Sequence, residues 1–495
     1  MNPGKVIEPY RMDENLRLGA GYNPWQPETH FKFPNDQGSL ARATLRCVGV
    51  GKCRHDEGGV MCPSFRVTRD EEHSTRGRAH LLWEMAQGDV IRGGWRDDVV
   101  KESLDLCLSC KGCKSDCPVS VDLATYKAEF LSHYHEGRLR PRSDYAFANI
   151  DIWARLASKV PGLANLATQL PFLRDIAKLT AGMPQQRSIP AFAPQTFRSW
   201  FNVRQPRNPE AALVTLWPDT FNNYFLPDTA KAAVEVLEAA GFRVALPEAI
   251  LCCGRPLYDF GMLDRAKRLL LKTLDTLALE IEAEIPIVVL EPSCAAVFRD
   301  ELINLFPGDE RAHKLSRQTF LLSEFLDKKA PDFQLPKLPA KALMHGHCHH
   351  KSIMKMTDEE SVLTKMGVGW SAPAPGCCGM AGSFGFDEDK YDVSVAIGEL
   401  ELLPAVRQAP VDSLIIADGF SCREQIAQCT DRQALHLAEV IALALHGPSV
   451  PDGSYPEKPQ VERRRADLER SMRRAGLGVA GIAAGAALLW WLRKM

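Results

Sequence analysis

The sequence predicts a multidomain protein: an α-helical, two-motif ferredoxin domain, then duplicated α/β Cys-Cys-Gly domains, then a C-terminal apolar helix. Three observations predict this fold class. The 495 residues are enough for several domains of ordinary size. Seven cysteines lie between Cys47 and Cys117, partly at ferredoxin spacing. The sequence Cys-Cys-Gly occurs at Cys252 and again at Cys377, each time among alternating strand and helix patterns.

The composition narrows the classes of function. Hydrophobic residues make up 45% of the chain and charged residues 25%, as in globular proteins, and the net charge of −2 provides no basic field for nucleic acid. The first residues lack the apolar core of a secretory signal, so we expect the 15 cysteines to lie in a reducing compartment. Clustered cysteines there indicate metal binding or redox chemistry. The expected location is the cytoplasm or the cytoplasmic face of the inner membrane.

Seven segments follow one another along the chain. They are an extended arm (1–40), a helical ferredoxin-type domain (41–148), a helical connector (149–207), a first Cys-Cys-Gly α/β unit (208–335), a second unit (336–446), a basic linker helix (447–474) and an apolar tail (475–495).

The ferredoxin-type domain and the connector carry helix patterns. One helix is predicted to begin after Ser74, a good N-cap, because apolar residues follow at helical spacing. A second runs from about Val121 and ends at Gly137. The connector is apolar but broken by five prolines, which predicts several short helices.

Each α/β unit repeats one order of elements. A buried strand ("AALVTLW", "KALMHGHC") precedes the Cys-Cys-Gly loop; one long helix and a second strand ("IPIVVLEP", "DSLIIADG") follow, and Cys294 or Cys422 opens the next helix. Ligand sites of parallel sheets lie at strand ends, and helix N-termini stabilise thiolates. Both Cys-Cys-Gly loops are therefore candidate ligand sites.

The tail "AGLGVAGIAAGAALLWWL" contains no charged residue. Eighteen helical residues reach about 27 Å, the thickness of a bilayer core. The tail, with its basic collar, therefore fits a membrane anchor or an in-plane membrane helix; a soluble docking helix is the alternative.

The strongest motif is Cys107-x2-Cys110-x2-Cys113-x3-Cys117-Pro118. Three thiolates at this spacing hold one [4Fe–4S] cluster, and the cysteine before proline reaches the other cluster of a two-cluster ferredoxin. By the same crossover, Cys62 before Pro63 completes the set of Cys107, Cys110 and Cys113. A zinc knuckle or free thiols are the alternatives.

The second cluster motif is one cysteine short. It offers Cys47, Cys53 and Cys117, and Val50 stands where a fourth cysteine is expected. Three thiolates beside an aliphatic residue resemble the [3Fe–4S] motif of succinate dehydrogenase. The site is expected to hold three irons, four irons with a non-cysteine ligand such as His55, or none. Arg76 and Arg78 follow closely, either as ordinary surface charges or as cations that raise a cluster potential.

The second Cys-Cys-Gly unit offers four candidate metal ligands, Cys348, Cys377, Cys378 and Cys422, whereas the first offers only Cys252, Cys253 and Cys294. We therefore expect a further metal centre mainly in the second unit; small buried residues at tight turns are an equal interpretation of the first. Strand alternation would place His345, His347 and His349 on one face. They are predicted to line a polar site or to donate to a cluster sulfur, with zinc bound by His347 as the alternative.

Six stretches carry a family resemblance: "NPGKVIEPYRMDENLRLG", "CVGVGKCR", "GGVMCPS", "STRGRA", "EPSCAAVFRDEL" and "PGCCGMAGSFGF". They resemble the iron–sulfur half of fused FAD-linked oxidase/iron–sulfur proteins, which include D-2-hydroxyglutarate and D-lactate dehydrogenases. The iron–sulfur subunits of glycolate oxidase, anaerobic glycerol-3-phosphate dehydrogenase and heterodisulfide reductase are similar. "NPGKV" resembles the end of the flavin portion, which implies either that FAD lies on a partner chain or that this chain is a split or truncated gene product.

The resemblance implies an electron-transfer component of an FAD-linked D-2-hydroxy-acid dehydrogenase, acting on D-2-hydroxyglutarate, D-lactate or glycolate. Its acceptor would be a quinone, a cytochrome or an electron-transfer flavoprotein. Two alternatives are a heterodisulfide-reductase-like catalyst at the Cys-Cys-Gly site and a scaffold whose cluster only stabilises the fold.

Overall fold

The computed structural model describes residues 18, 22–23, 25–56, 58–447, 453–492 and 494. The segment "NPGKV" and most of the first half of the predicted arm lie outside these residues. The second half of the arm is packed against the ferredoxin domain. Phe31 is fully buried, and the backbone N–H groups of His30 and Phe31 donate to the two carboxylate oxygens of Glu129 at 2.8 and 2.9 Å.

The ferredoxin domain is helical, as predicted. The Ser74 hydroxyl accepts a hydrogen bond from the Gly77 amide, and the helix it caps ends at Gly88 in the left-handed conformation. Phe31, Leu82 and Phe130 lie in its core. Its helices are Leu40–Thr44, Pro63–Thr68, Thr75–Gln87, Asp98–Asp105, Gly112–Asp116, Leu123–Tyr134 and Arg142–Ala148.

The connector consists of short helices, as its prolines predicted. Pro161 and Pro171 each occupy the first position of a helix, where a missing N–H costs nothing. The helices are Ile150–Ala157, Pro161–Gln169, Pro171–Ala181 and Phe197–Phe201.

The first α/β unit contains a four-stranded parallel sheet in the order β2-β1-β3-β4. Its strands are β1 (Leu213–Trp217), β2 (Arg243–Ala245), β3 (Ile287–Val289) and β4 (Thr319–Leu321). The predicted long helix is divided after Thr276. The helices are Thr220–Tyr224, Pro227–Ala239, Arg255–Asp259, Leu263–Thr276, Ala278–Glu282, Pro292–Ala296, the π-helix Val297–Glu301, Leu302–Leu305, Glu310–Gln318 and Leu322–Lys329.

The second α/β unit contains a three-stranded parallel sheet in the order β6-β5-β7. Its strands are β5 (Lys341–Met344), β6 (Gly369–Ser371) and β7 (Leu414–Ile416). The helix predicted after the Cys-Cys-Gly loop is interrupted at Glu401. The helices are the π-helix His350–Met354, Thr357–Met366, Tyr391–Leu400, Leu402–Gln408, Phe420–Cys429 and Leu437–Leu445.

The prediction that His345, His347 and His349 share one strand face is wrong. Strand β5 ends at Met344, and the chain then turns across the end of the sheet into a helical segment. Gly346 is closely packed in this turn, since a β-carbon there would lie 2.5 Å from the Met356 sulfur. His345 and His347 therefore lie in the turn, and His349 lies in the helical segment that follows.

The predicted basic linker and apolar tail form one helix, Lys458–Leu492. It packs on the connector helix Pro161–Gln169, where Gly162 allows close approach: a β-carbon there would lie 2.7 Å from the Ser471 carbonyl oxygen. Across the described stretches of the chain, the structure has no helix with both the length and the apolar character needed to cross a membrane. The predicted membrane-spanning anchor is therefore not supported.

Candidate iron–sulfur centres

The loop of the main ferredoxin motif turns three thiols inward. Ser109 and Lys111 adopt positive φ angles of 52° and 59°, and this backbone buries Cys107, Cys110 and Cys113 together. Burial raises the pKa of the Cys113 thiol to about 12 and that of Cys110 well above its usual range. Neutral thiols in this position would become stable thiolates only beside cations, which iron supplies.

Cys62 lies between the two ferredoxin motifs. It adopts a positive φ of 52° before Pro63, and its sulfur accepts a hydrogen bond from the Thr75 amide at 2.8 Å. Burial, followed by a hydrogen bond with Cys53, raises the pKa of the Cys62 thiol, and the neighbouring Cys113 thiol raises it further. Cys62 thus contacts Cys53 while neighbouring Cys113, and its assignment to one cluster stays a prediction.

The shorter motif brings Cys47, Cys53 and Cys117 together. Burial raises the pKa of the Cys47 thiol, and Cys53 and Cys117 are its neighbouring thiols. The three line one small cavity together with Val50, whose side chain is itself 59% exposed. The predicted three-cysteine set is therefore assembled in space.

The second Cys-Cys-Gly unit brings four thiols into one buried chain of contacts. Cys348 contacts Cys377, Cys377 contacts Cys378, and Cys378 contacts Cys422. Gly379 has a φ of +86° and donates its amide hydrogen to the Cys377 sulfur at 3.4 Å. The hydrogen bond with Cys377 lowers the pKa of the Cys348 thiol to about 7. Four sulfur donors at one point suit an iron–sulfur cluster or zinc.

The first Cys-Cys-Gly unit has the same turn with three thiols. The Cys253 and Cys294 sulfurs lie 2.9 Å apart, and the Gly254 amide donates to the Cys252 sulfur at 3.4 Å. The end of strand β1 carries no fourth thiol; buried Trp217 lies there and meets Phe298 edge-on. The described residues thus give this unit a weaker donor set than its counterpart.

A glutamate that the sequence analysis missed joins the two units. Glu291 caps the helix of Cys294 by accepting from the Ser293 amide, and its other oxygen accepts from the Phe420 amide at 2.8 Å, at the start of the Cys422 helix. Its position just after strand β3 was the available signal, because polar groups at strand ends line ligand sites.

The ferredoxin domain adjoins the second unit at its cysteines. The His349 ring nitrogen Nε2 contacts the Ser109 carbonyl oxygen at 3.1 Å. After burial itself, the neighbouring Cys348 contributes most to raising the pKa of the Cys110 thiol. The Arg66 guanidinium also pairs with Glu401 at 2.9 Å. The predicted cluster thiols and the second Cys-Cys-Gly thiols therefore belong to one continuous buried region.

Lys111 anchors the same loop to the first unit. Its ammonium group is buried, 2.7 Å from Asp300 and 3.0 Å from Asp122. Asp300 belongs to the first α/β unit and Asp122 to the ferredoxin domain. No sequence motif marks this lysine, because its role depends on a tertiary contact.

A cavity of about 690 Å³ separates the two Cys-Cys-Gly units. Its walls are mainly apolar, and the rings of Phe221 and Phe420 stack in them at 4.2 Å. The lining includes Cys252, Cys253, Cys294, His347, Cys348, His349, Trp153, Phe221, Phe225, Glu291 and Phe420. One apolar chamber thus touches thiols of both units. Ligand atoms of His347, Cys348 and His349 lie within 4.8 Å of one another, and zinc at this point stays a prediction.

The fold and these cysteine sites define an iron–sulfur protein of the ferredoxin and cysteine-rich class. Residues 43–121 match the family model of the 4Fe-4S dicluster domain, and residues 219–299 match that of the cysteine-rich domain. The chain belongs to the family of iron–sulfur proteins that join these two domains, as the sequence resemblance indicated.

The chain is similar to proteins of several kinds. It is 26% identical to a D-2-hydroxyglutarate dehydrogenase of Pseudomonas putida, over 89% of this chain and 47% of the relative. It is 25% identical to one subunit of the anaerobic glycerol-3-phosphate dehydrogenase of Escherichia coli, over 61% of this chain and 77% of that subunit. It is 30% identical to lactate utilization protein A of Anoxybacillus flavithermus, over 46% of this chain and 98% of that protein. The chain spans about half the length of the D-2-hydroxyglutarate dehydrogenases that it matches.

Proposed function

We propose that this chain is the iron–sulfur electron-transfer component of an FAD-linked D-2-hydroxy-acid dehydrogenase and passes electrons from reduced flavin to a respiratory acceptor. The observation that carries the proposal is the junction of two buried thiol groups, where Cys110 of the ferredoxin loop packs in the same buried cluster as Cys348 and Cys377 of the second Cys-Cys-Gly unit. Adjacent redox centres in one buried region are what an electron relay requires.

The donor sets fit iron–sulfur clusters because they combine sulfur atoms from separated loops in buried surroundings. Cys62, Cys107, Cys110 and Cys113 would hold a [4Fe–4S] cluster; Cys47, Cys53 and Cys117 would hold a second [4Fe–4S] or a [3Fe–4S] cluster; Cys348, Cys377, Cys378 and Cys422 would hold a further centre, with Cys252, Cys253 and Cys294 the weakest set. Such clusters, when bound, accept and release single electrons. The chain itself supplies the thiolates, the amide donors of Thr75 and Gly379, and the exclusion of water.

We place FAD on a partner dehydrogenase chain. The two family matches account for iron–sulfur domains, and the glycerol-3-phosphate dehydrogenase relative is itself named a subunit. The hydroxy acid would be D-2-hydroxyglutarate, D-lactate or glycolate. A cytoplasmic location, at the inner face of the membrane, is consistent with thiols kept reduced; contact of the C-terminal helix with a membrane surface is part of the same proposal.

Among the three acceptors, the cavity favours a quinone over a cytochrome or an electron-transfer flavoprotein. Its apolar walls and stacked phenylalanines suit a small aromatic molecule. Phe221→Gln should weaken the binding of a water-soluble naphthoquinone about fivefold, because an aromatic stack contributes about 1 kcal/mol. Phe172→Gln is the control, since Phe172 is 75% exposed. Equal affinity in all three proteins would exclude this chamber as the quinone site.

The proposed function is tested by anaerobic reconstitution with iron and sulfide. The wild-type chain should bind iron, give a reducible electron paramagnetic resonance signal, and accept electrons once a reduced flavoprotein is added. Cys110→Ser should lose iron and this signal, whereas Cys429→Ser should retain both, because half-buried Cys429 contacts Arg187 outside the proposed sets. A chain without iron would refute the relay.

The alternative function is a heterodisulfide-reductase-like catalyst at the Cys-Cys-Gly site. One observation favours it: the chamber exposes thiols of both units to the same space. Disulfide reduction by the chain with an artificial electron donor, without any flavoprotein, would support the alternative; activity only with a flavoprotein would support the relay.

We also propose that the two α/β units arose by duplication. Both have a parallel sheet, and in both the paired cysteines precede a glycine with positive φ, 80° at Gly254 and 86° at Gly379.

A further inference from the structure

A second polar group lies in the second α/β unit, beside the cysteines. It consists of His350 in the π-helix after Cys348, Glu359 in the helix Thr357–Met366, and Asp418 directly after strand β7. One ligand atom of each lies within 4.8 Å of the others. Their exposed fractions are 1%, 2% and 7%.

The cluster is incompletely satisfied. Among the described residues, Nε2 of His350 and Oε2 of Glu359 are buried without a hydrogen-bond partner. Such atoms are rare in native proteins, and a bound ion is one of their ordinary explanations. Asp418 is partly satisfied, since one of its carboxylate oxygens accepts a hydrogen bond from the Leu437 amide at 2.9 Å.

The cluster also contains two carboxyl groups that no lysine or arginine of the described chain neutralises. Glu359 and Asp418 are neighbouring carboxyl groups. In the described chain neither carboxylate forms an ion pair with lysine or arginine; Asp418 pairs only with the His436 ring, at 3.5 Å. The guanidinium group of Arg299, which faces His350, is committed to Glu324 at 2.7 Å. Two buried carboxyl groups without a cation are costly unless they share a proton or bind a metal.

We propose that His350, Glu359 and Asp418 form a zinc site. One imidazole nitrogen and two carboxylate oxygens are a zinc donor set, whereas calcium and magnesium prefer oxygen alone. The inference does not depend on the proposed function. The site joins the helical turn after Cys348, a helix behind it, and the loop that leads to Cys422. Zinc here would fix the backbone that presents two of the four proposed cluster thiols.

The test uses the full chain, first reconstituted with iron and sulfide so that the cysteines are filled. It is then exposed to zinc and desalted. The wild type should retain one further equivalent of zinc, and X-ray absorption should show a shell of nitrogen and oxygen near 2.0 to 2.2 Å rather than sulfur near 2.3 Å. Zinc should also raise the midpoint of thermal unfolding.

Glu359→Gln preserves the shape of the side chain and should lose that equivalent and the thermal shift. Asp418→Asn is the second variant, and Glu360→Gln on the same helix is the control that should behave as wild type. Absence of nitrogen- and oxygen-bound zinc in the wild type, or its retention in both Glu359→Gln and Asp418→Asn, would overturn the proposal. Unchanged zinc binding together with greater stability of Glu359→Gln would show a shared proton instead.

Discussion

Replacing Lys111 by Met should loosen the ferredoxin loop more than any change at the neighbouring Lys114. The Lys111 ammonium, 1% exposed, lies 2.7 Å from Asp300, 3.0 Å from Asp122 and 3.4 Å from Glu301. Removing one partner of a buried ion pair costs about 3 to 5 kcal/mol. Lys114 still contacts the two aspartates and Arg255 still contacts Glu301, so we expect the lower end, about 3 kcal/mol.

The assay is native-state hydrogen exchange, because several domains preclude a two-state unfolding analysis. A loss of about 3 kcal/mol should accelerate exchange of amides in the 107–117 loop by about a hundredfold. Lys114→Met is the matched control: its side chain is 34% exposed, so about 1 kcal/mol or less should be lost. Equal acceleration in the two variants, or none in Lys111→Met, would refute the argument that this buried network docks the loop.

Two further predictions concern the second unit and the effect of pH. Gly379→Ala should disrupt the arrangement of the four thiols in the second unit, because a β-carbon there would lie 2.0 Å from the Ser394 carbonyl oxygen. Gly254→Ala is the comparison: a β-carbon there would lie 3.7 Å from its nearest atom, so this variant should lose only the cost of positive φ, about 1 to 2 kcal/mol. Thermal unfolding and bound iron measure the difference, and equal losses would contradict it. Burial raises the pKa of Asp144 to about 6 from 3.8, despite Arg140, so its stabilising contribution is complete below pH 4 and is lost as pH rises through 6. Asp144→Asn should flatten that part of the stability profile; an unchanged slope would contradict the assignment.

The sequence carried the local features of the cysteine sites. The structure confirms the helix cap at Ser74, the short connector helices and the strands β1, β3, β5 and β7. These features could be predicted because they depend on residues close together in the chain. The edge strands β4 and β6 were missed, because β4 lies directly between two helices and β6 (Gly-Trp-Ser) has no apolar run. The predicted histidine strand is wrong because β5 ends at Met344, where its pairing with β7 ends, and strand pairing is a tertiary contact.

The spatial arrangement of the sites could not be predicted from the sequence. Spacing identified the cysteines, yet the approach of Cys110 to Cys348, the bridge by Glu291 and the anchoring of Lys111 all join residues far apart in the chain. The chamber was missed for the same reason: Phe221 and Phe420 lie in separate units, and their stacking is a tertiary contact.

The central claim is that two electron-carrying centres adjoin across Cys110 and Cys348. Electron paramagnetic resonance of the anaerobically reconstituted, chemically reduced chain tests it most directly. We expect signals broadened by magnetic interaction between neighbouring centres, with the broadening lost in Cys348→Ser and retained in Cys429→Ser. Sharp, independent signals in the wild type, or the same broadening in Cys348→Ser, would contradict the account.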